Sequence, residues 1–153
     1  MKYQILYNPK SNNGRGSEEA ENAIGRLNEK KKPGAEIVRK DITSIDIKRY
    51  IQNETAADDI IVICGGDGTL SRFINDTDGM EINRRIDYYA TGTGNDFFRD
   101  LGLEKGDIAE NVGKYITNLP KVTVCCLYRV RRLFWAIIFT TPFVTSLVWQ
   151  LAL

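Results

Sequence analysis

A single carboxylate lies inside a glycine-rich turn that directly follows an apolar run. The run covers residues 60–64, and the turn after it reads Gly-Gly-Asp-Gly-Thr-Leu, with Asp67 as its acidic residue. Glycine lets a backbone approach a ligand because no Cβ stands in the way, and the amides at the start of a following helix favour a phosphate. Asp67 would repel a bare phosphate, so its presence indicates a Mg²⁺ ion or a hydroxyl proton between the two groups. This turn therefore predicts phosphoryl transfer rather than simple dinucleotide binding.

Two familiar glycine loops do not fit this turn. A Walker A loop ends in Gly-Lys-Ser/Thr, whereas Gly68 is followed by Thr69 and Leu70. The dinucleotide fingerprint G-x-G-x-x-G needs a third glycine where Ser71 stands. The alternative interpretation is a tight strand-to-helix turn without a ligand, although loops at the carboxyl ends of strands commonly carry binding sites.

A second glycine loop covers residues 90–97 and reads Ala-Thr-Gly-Thr-Gly-Asn-Asp-Phe. Its small glycines, hydroxyls and amide suit a ribose or a triphosphate lying across the loop. Asn95 or Asp96 would also serve as an ordinary helix N-cap, and this alternative stays open. Phe97 and Phe98 are interpreted as core residues.

A third loop, residues 8–16, places two cations beside glycines. Lys10 and Arg15 would neutralise phosphate charge from the opposite wall of a site. An exposed lysine is commonly just solvated, so Lys10 is informative only because its loop is expected to share a sheet edge with the other two.

Strands alternate with helices along the first part of the chain. Apolar runs predict strands at residues 3–7, 36–40, 60–64 and 85–90, and helices are predicted at residues 17–31, 44–52, 70–75 and 107–119. Ser17 is the predicted N-cap residue of the first helix, Ser44 is predicted to open the second, and Asp107 with Glu110 forms a predicted capping box.

This alternation predicts an α/β fold with a mostly parallel sheet and helices on both faces. Ligands of such sheets bind at the carboxyl ends of the strands. Because all three loops follow strands, we expect them to form one composite site.

Composition limits the functions open to the chain. Its 153 residues suit one ordinary domain, and a formal net charge of +1 gives no electrostatic case for a nucleic-acid partner. Histidine is absent, which excludes histidine-based acid–base chemistry and most zinc sites, and no set of metal ligands is assigned. The three cysteines show no metal-binding or disulfide spacing, and no signal peptide precedes the first strand, so a cytoplasmic location is predicted. No oligomeric state is predicted.

Composition changes after about residue 124. Arg129, Arg131 and Arg132 precede residues 133–153, which carry no charge. That length would span a bilayer as a helix, and the arginines suit its cytoplasmic end. Three interpretations stay open: a membrane anchor, an aberrant terminus produced by truncation or a shifted reading frame, and a buried pair of strands.

Three segments together resemble the catalytic domain of the diacylglycerol kinase family, within the wider group that includes sphingosine kinases and NAD kinases. The segments are residues 7–10 (Tyr-Asn-Pro-Lys) with Gly14, residues 65–70 and residues 91–97. The resemblance covers residues 1 to about 124. The Asn-Pro opening and the Gly-Thr-Gly-Asn-Asp loop favour the lipid kinases over the NAD kinases.

The resemblance implies ATP with Mg²⁺ as phosphoryl donor and a lipid hydroxyl, such as that of diacylglycerol, as acceptor at the membrane surface. It implies Asp67 as the catalytic acidic residue and Thr43 as an adenosine-side contact. The residues implied to bind the nucleotide are Asn8, Pro9, Lys10, Thr43, Gly65, Gly66, Asp67, Gly68, Thr69, Leu70, Thr93, Gly94 and Asn95.

The family resemblance also implies a second, β-rich domain, whose pattern is missing after about residue 124. Residues 1–124 are therefore predicted to be the nucleotide-binding catalytic domain, and residues 125–153 an apolar tail. The predicted function is an ATP-dependent lipid kinase impaired by truncation. The alternatives are a non-catalytic, membrane-associated nucleotide-binding module and an NAD kinase-like enzyme.

Overall fold

Four parallel strands form one sheet in the computed structural model, which describes residues 1–116. The strands are β1 (Lys2–Tyr7), β2 (Glu36–Asp41), β3 (Ile60–Gly65) and β4 (Ile86–Ala90). They lie in the order β2-β1-β3-β4, and every neighbouring pair is parallel. Every residue of β3 is buried, which explains why this strand is a continuous apolar run.

Helices cover both faces of the sheet, which confirms the predicted fold class. The helical segments are α1 (Ser11–Gly14), α2 (Gly16–Lys30), α3 (Ile47–Glu54), α4 (Asp67–Asp76), α5 (Asp96–Asp100) and α6 (Gly113–Ile116). Alternate strand residues belong to separate apolar clusters: Ile5 and Val62 pack with α2, whereas Leu6 and Ile63 pack with α3 and α4. Phe98 is buried and Phe97 is partly buried against the second cluster, as predicted.

The prediction that Ser17 caps the first long helix is wrong by a small shift. Helix α2 begins at Gly16, and Arg15 is its N-cap residue without a capping side-chain hydrogen bond. The helix begins earlier because the Arg15 backbone oxygen already accepts a hydrogen bond from the Glu19 N–H at 3.0 Å. Glu18 and Glu19 lie in the first turn, where the helix dipole favours acidic side chains.

The predicted start of the next helix at Ser44 is also wrong. The Ser44 hydroxyl donates to the backbone oxygen of Asp41 at 2.9 Å and closes a turn after β2. Helix α3 begins at Ile47, because the Asp46 side chain caps it by accepting a hydrogen bond from the Arg49 backbone N–H at 3.0 Å.

The predicted capping box of Asp107 and Glu110 does not form. Asp107 accepts a hydrogen bond from the Glu104 backbone N–H at 3.1 Å, and Ala109 pairs with Tyr88 in an antiparallel bridge. The backbone pairing with β4 draws this segment into an extended path, so helix α6 begins only at Gly113. The predicted helix end near residue 119 lies outside the described residues.

The part of the chain from residue 1 to 116 contains no helix that is long and apolar enough to cross a membrane. The predicted membrane span at residues 133–153 lies outside the described residues.

A buried carboxylate joins elements at the amino ends of the central strands. Asp59 is 3% exposed and accepts hydrogen bonds from the Lys2 backbone N–H at 2.6 Å, Gln4 Nε2 at 2.9 Å and the Ala56 backbone N–H at 3.0 Å. The Tyr50 hydroxyl donates to Gln4 Oε1 at 2.8 Å and adds α3 to the network. Burial by itself would raise the pKa of Asp59, but the donors from Gln4, Ala56 and Lys2 outweigh it and lower the pKa.

We expect Asp59→Asn to lower the free energy of unfolding by about 2 kcal/mol at pH 7, because an amide cannot accept from all three donors. The folded-state pKa lies below the unfolded value of about 4, so the carboxylate stabilises the fold above that pH and loses its contribution as the pH falls through the folded pKa. Urea denaturation at pH 7 and pH 3 tests this expectation.

The matched control is Asp58→Asn, because Asp58 is exposed and pairs with the N-terminal ammonium at 2.8 Å. This variant should keep the wild-type urea midpoint at pH 7. An Asp59→Asn defect of the same size at pH 7 and pH 3 would contradict the assigned pH dependence.

Candidate functional site

The three sequence-predicted loops meet at the carboxyl ends of the central strands. Strand β1 has β2 on one side and β3 on the other, so the chain reverses its direction across the sheet between β1 and β3. Open parallel sheets bind ligands at such a point. A cleft of about 320 Å³ opens there, and it is lined by Asn8, Lys10, Ser11, Asn12, Asn13, Gly66, Gly68, Thr69, Gly92 and Thr93.

Two glycines let the loops after β3 and β4 touch. A Cβ on Gly92 would lie 2.9 Å from the Cα of Gly66, and a Cβ on Gly66 would lie 3.1 Å from the Cα of Gly92. The Thr91 backbone N–H donates to the Gly65 backbone oxygen at 2.9 Å, so the pairing of the strands continues into the turns. A side chain at position 92 would push the two loops apart.

The loop after β1 folds back on itself at Gly16. A Cβ at this residue would lie 1.8 Å from the backbone oxygen of Asn8. Asn12 and Asn13 have left-handed φ angles of 49° and 57°, which asparagine tolerates better than most residues do. The loop thereby forms a compact wall of the cleft.

Side chains of the loop after β1 bind the loops after β3 and β4. The Asn8 Nδ2 group donates to Thr69 Oγ1 at 3.1 Å. The Thr91 hydroxyl donates to Ser11 Oγ at 3.2 Å, and Ser11 in turn donates to the Asn8 backbone oxygen at 2.8 Å. Residues far apart in sequence therefore form one connected polar network along the cleft.

Asp67 is the first residue of α4, and only one of its carboxylate oxygens is paired. Oδ2 accepts a hydrogen bond from the Asp96 backbone N–H at 3.0 Å, which connects the loop after β3 to the loop after β4. Oδ1 is buried and has no hydrogen-bond partner among residues 1–116. Burying an unpaired carboxylate oxygen is costly. Asp67 Oδ1 is thus a buried acceptor without a partner in the described part of the chain, and Asp67 itself is not among the residues that line the cleft.

Other reactive groups near Asp67 stay protonated at neutral pH. Tyr88 is fully buried against Phe97 and Phe98, at ring-centroid distances of 6.1 and 6.0 Å. Burial, with a smaller effect from the negative charge of Asp67, raises the pKa of Tyr88. Burial likewise raises the pKa of the Cys64 thiol to about 12, so Cys64 is not a nucleophile at neutral pH.

The only lysine on the wall of the cleft is Lys10, and within the described residues it forms no salt bridge. Its backbone N–H donates to Asn8 Oδ1 at 2.9 Å, while its side chain remains exposed. This positive charge is therefore available to an anionic ligand.

Six of the sequence-predicted binding residues line the cleft: Asn8, Lys10, Gly66, Gly68, Thr69 and Thr93. Gly65 lies beneath Thr69, and Leu70 is 1% exposed within the core. The Pro9 backbone oxygen accepts a hydrogen bond from the Gly16 N–H at 3.3 Å within the loop after β1.

The remaining predicted residues lie beside the cleft or away from it. A Cβ on Gly94 would lie 3.5 Å from Asp67 Oδ2, and Asn95 Nδ2 donates to the Gly92 backbone oxygen at 2.6 Å. Thr43 lies after β2, where its hydroxyl donates to Asp41 Oδ1 at 2.7 Å, and it does not line the cleft.

Four cleft residues lie in the predicted loops but were not among the predicted binding residues: Ser11, Asn12, Asn13 and Gly92. The Asn-Asn-Gly run at residues 12–14 was a usable signal, since asparagine and glycine favour left-handed backbone. No local signal marked Ser11, because its partner Thr91 is brought close only by the sheet.

Comparison with known proteins identifies a family. The chain matches the sequence model described as the diacylglycerol kinase catalytic domain over residues 2–126. Comparison with curated proteins gave no match.

Solved structures from Bacillus anthracis str. Sterne are similar to the chain. One diacylglycerol kinase structure is 25% identical, with a TM-score of 0.48, over 68% of this chain and 35% of that chain. Another, provisionally named a diacylglycerol kinase, is 24% identical, with a TM-score of 0.48, over 76% of this chain and 39% of that chain. The chain thus spans about two fifths of the length of these structures or less.

We expect Gly16→Ala to lower the free energy of unfolding by about 1–3 kcal/mol, because the new methyl group meets the Asn8 backbone oxygen. The matched control is Gly25→Ala in the same helix, where a Cβ would meet no atom within 4 Å. That variant should gain about 0.5–1 kcal/mol from helix propensity. Chemical denaturation measures both, and a stable Gly16→Ala protein would contradict the close packing of this loop.

Proposed function

Because this chain belongs to the diacylglycerol kinase catalytic domain family, we propose that residues 1–116 form the nucleotide-binding part of a lipid kinase. The proposed reaction transfers the γ-phosphoryl group of ATP to the hydroxyl of a lipid such as diacylglycerol. The observation that carries this proposal is the half-paired Asp67 carboxylate. Asp67 lies in the chain between Gly66 and Gly68, which both line the cleft.

The cleft has the donors that a polyphosphate needs. Gly66 is the N-cap residue of α4 and lines the cleft together with Gly68. The first amides of a helix lack intrahelical acceptors and lie at the positive end of the helix dipole. Lys10 on the opposite wall adds a full positive charge. These groups support phosphate binding between the loop after β1 and the loop after β3.

The chemistry of Asp67 fits a magnesium ion. Magnesium is commonly held by one or two carboxylates together with substrate phosphates rather than by a complete protein cage. Residues 1–116 contain no group of three or more acidic, cysteine or histidine side chains that would hold a metal on their own. The unpaired Asp67 Oδ1 is the oxygen that we assign to the ion. When bound, magnesium would supply charge neutralisation on the phosphates.

The proposed transfer needs a place for one proton. The lipid hydroxyl oxygen forms a bond to the γ-phosphorus, while the bond between that phosphorus and the β–γ bridging oxygen breaks and ADP leaves. The hydroxyl proton goes to a base, and we assign this role to the carboxylate of Asp67, which lies between the cleft-lining residues Gly66 and Gly68. The role of holding the metal and the role of accepting the proton both require a charged Asp67.

A second candidate is a nucleotide-binding module without catalysis. One feature of the site favours it, since Asp67, the proposed catalytic residue, is not among the residues that line the cleft. Chemistry by lipid kinases depends on water exclusion and on positioning of the acceptor, each worth several kcal/mol. The two candidates share the nucleotide site and differ only in phosphate transfer.

Asp67→Asn should reduce phosphate transfer from Mg-ATP to diacylglycerol by about a hundredfold or more, because it removes the charge that pairs with the metal or the proton. The assay follows phosphate in the lipid fraction, with the purified full chain in detergent micelles. The control is Asp76→Asn at the other end of α4, where the carboxylate is exposed and pairs with Arg72 at 3.2 Å.

The outcomes separate the candidate functions. Transfer that Asp76→Asn retains and Asp67→Asn loses supports the lipid kinase. Mg-ATP binding without transfer supports the module, and transfer to NAD offered in place of the lipid supports an NAD kinase-like enzyme. Absence of both binding and transfer would refute the proposed function.

A further inference from the structure

We propose that Asn8 is a positioning residue, whose side-chain amide orients the Thr69 hydroxyl so that its proton points into the cleft toward a phosphate oxygen. The inference rests on the proposed function, since its ligand is the phosphate chain of the nucleotide. It assigns different roles to Asn8 and Thr69, which both line the cleft.

The orientation of the Asn8 amide follows from one backbone contact. The Lys10 backbone N–H lies 2.9 Å from Asn8 Oδ1, and an N–H group can only donate. This contact places the carbonyl oxygen of the amide toward Lys10. The Nδ2 group must therefore be the atom that lies 3.1 Å from Thr69 Oγ1, and it donates to that oxygen.

The direction of the Thr69 hydroxyl follows from this bond. Because Thr69 Oγ1 accepts from Asn8, its own proton must be directed elsewhere. Within residues 1–116 the Thr69 hydroxyl donates no hydrogen bond, whereas the hydroxyl of Thr77, the C-cap residue of α4, donates to the Phe73 backbone oxygen at 2.7 Å. Thr69 lines the cleft while being only 5% exposed. The cleft is thus the place where its proton can meet an acceptor.

Gly65 fixes the position of the Thr69 side chain. A Cβ on Gly65 would lie 2.4 Å from Thr69 Cβ, 2.5 Å from Oγ1 and 2.6 Å from Cγ2. The threonine side chain therefore occupies the space that a side chain at position 65 would fill. This packing against Gly65 and the hydrogen bond from Asn8 together hold the Thr69 hydroxyl in one position.

The neighbouring hydroxyl of Ser11 has the opposite arrangement. Ser11 donates its proton to the Asn8 backbone oxygen at 2.8 Å and accepts from Thr91 at 3.2 Å. Its proton is used within the protein, although Ser11 also lines the cleft. Phosphate oxygens at neutral pH can only accept hydrogen bonds, so Thr69 suits them and Ser11 in this arrangement does not.

The first experiment titrates the full chain with Mg-ATP and with magnesium and inorganic triphosphate in a calorimeter. Thr69→Val keeps the shape of the side chain and removes the donor, so both dissociation constants should rise about tenfold or more. Thr69→Ser keeps the donor and should restore most of the affinity. Thr77→Val is the matched control, because it makes the same change at the C-cap residue of α4, whose hydroxyl is bonded to the backbone.

The second experiment tests the role of Asn8 with Asn8→Asp. A carboxylate still accepts from Lys10 N–H, but it would also accept the Thr69 proton and so turn that proton away from the cleft. Asn8→Asp also adds a negative charge that repels phosphate, and the Thr69→Val background measures this charge effect alone. We expect Asn8→Asp to weaken Mg-ATP binding several-fold more in the Thr69 background than in the Thr69→Val background.

The outcomes distinguish this inference from the proposed function. A wild-type chain that binds neither probe would overturn both. Wild-type binding with an unchanged Thr69→Val affinity, or with equal effects of Asn8→Asp in the two backgrounds, would overturn the inference and leave the nucleotide site in place. Circular dichroism and thermal unfolding of each variant show whether a lost affinity reflects a lost fold, and Thr69→Ser keeps the test valid if Thr69→Val does not fold.

Discussion

Close contact between loop backbones is the constraint on which the cleft depends. The β1–β3 register pairs Tyr7 with Cys64, so the loops that follow these strands begin side by side. Gly66 and Gly92 then approach closely enough that a Cβ on either would crowd the other. Side chains at these positions would separate the loops, and the polar contacts that cross the cleft would lose their partners. The glycines thus maintain a distance between backbones as well as room for a ligand.

The buried polar groups of the chain fall into two sets with different consequences. At the amino ends of the strands, Asp59 accepts hydrogen bonds from three donors and its charge is compensated inside the protein. At the carboxyl ends, one oxygen of Asp67 is buried without a partner in the described part of the chain. A satisfied carboxylate stabilises the fold, whereas burying an unpaired carboxylate oxygen costs free energy. The stabilising network and the candidate site therefore lie at opposite ends of the strands.

The hydroxyl groups around the cleft show how hydrogen-bond direction adds chemical selectivity to shape. Residue types by themselves make Ser11 and Thr69 equivalent donors, but their partners differ. Ser11 faces a backbone carbonyl oxygen, which takes its proton, and Thr69 faces an amide N–H, which leaves its proton free. A cleft of about 320 Å³ admits many small ligands. The free proton of Thr69 favours ligands that accept hydrogen bonds, as phosphate groups do.

The alternating apolar runs and the glycine turns determined much of this protein from sequence alone. They predicted a parallel sheet with helices on both faces and three loops at one edge, because strand periodicity and glycine geometry are local properties. The predicted helix start at Ser44 was wrong because the Ser44 hydroxyl donates to the nearby Asp41 backbone oxygen. The start at Asp107 was wrong because Asp107 accepts from the Glu104 backbone N–H and the segment after it pairs with distant β4. Only the tertiary structure decided that Asn8 contacts Thr69 and that Thr91 contacts Ser11, since these pairs are 61 and 80 residues apart. Hydrogen-bond partners and burial depend on the packed sheet, and no local pattern encodes them.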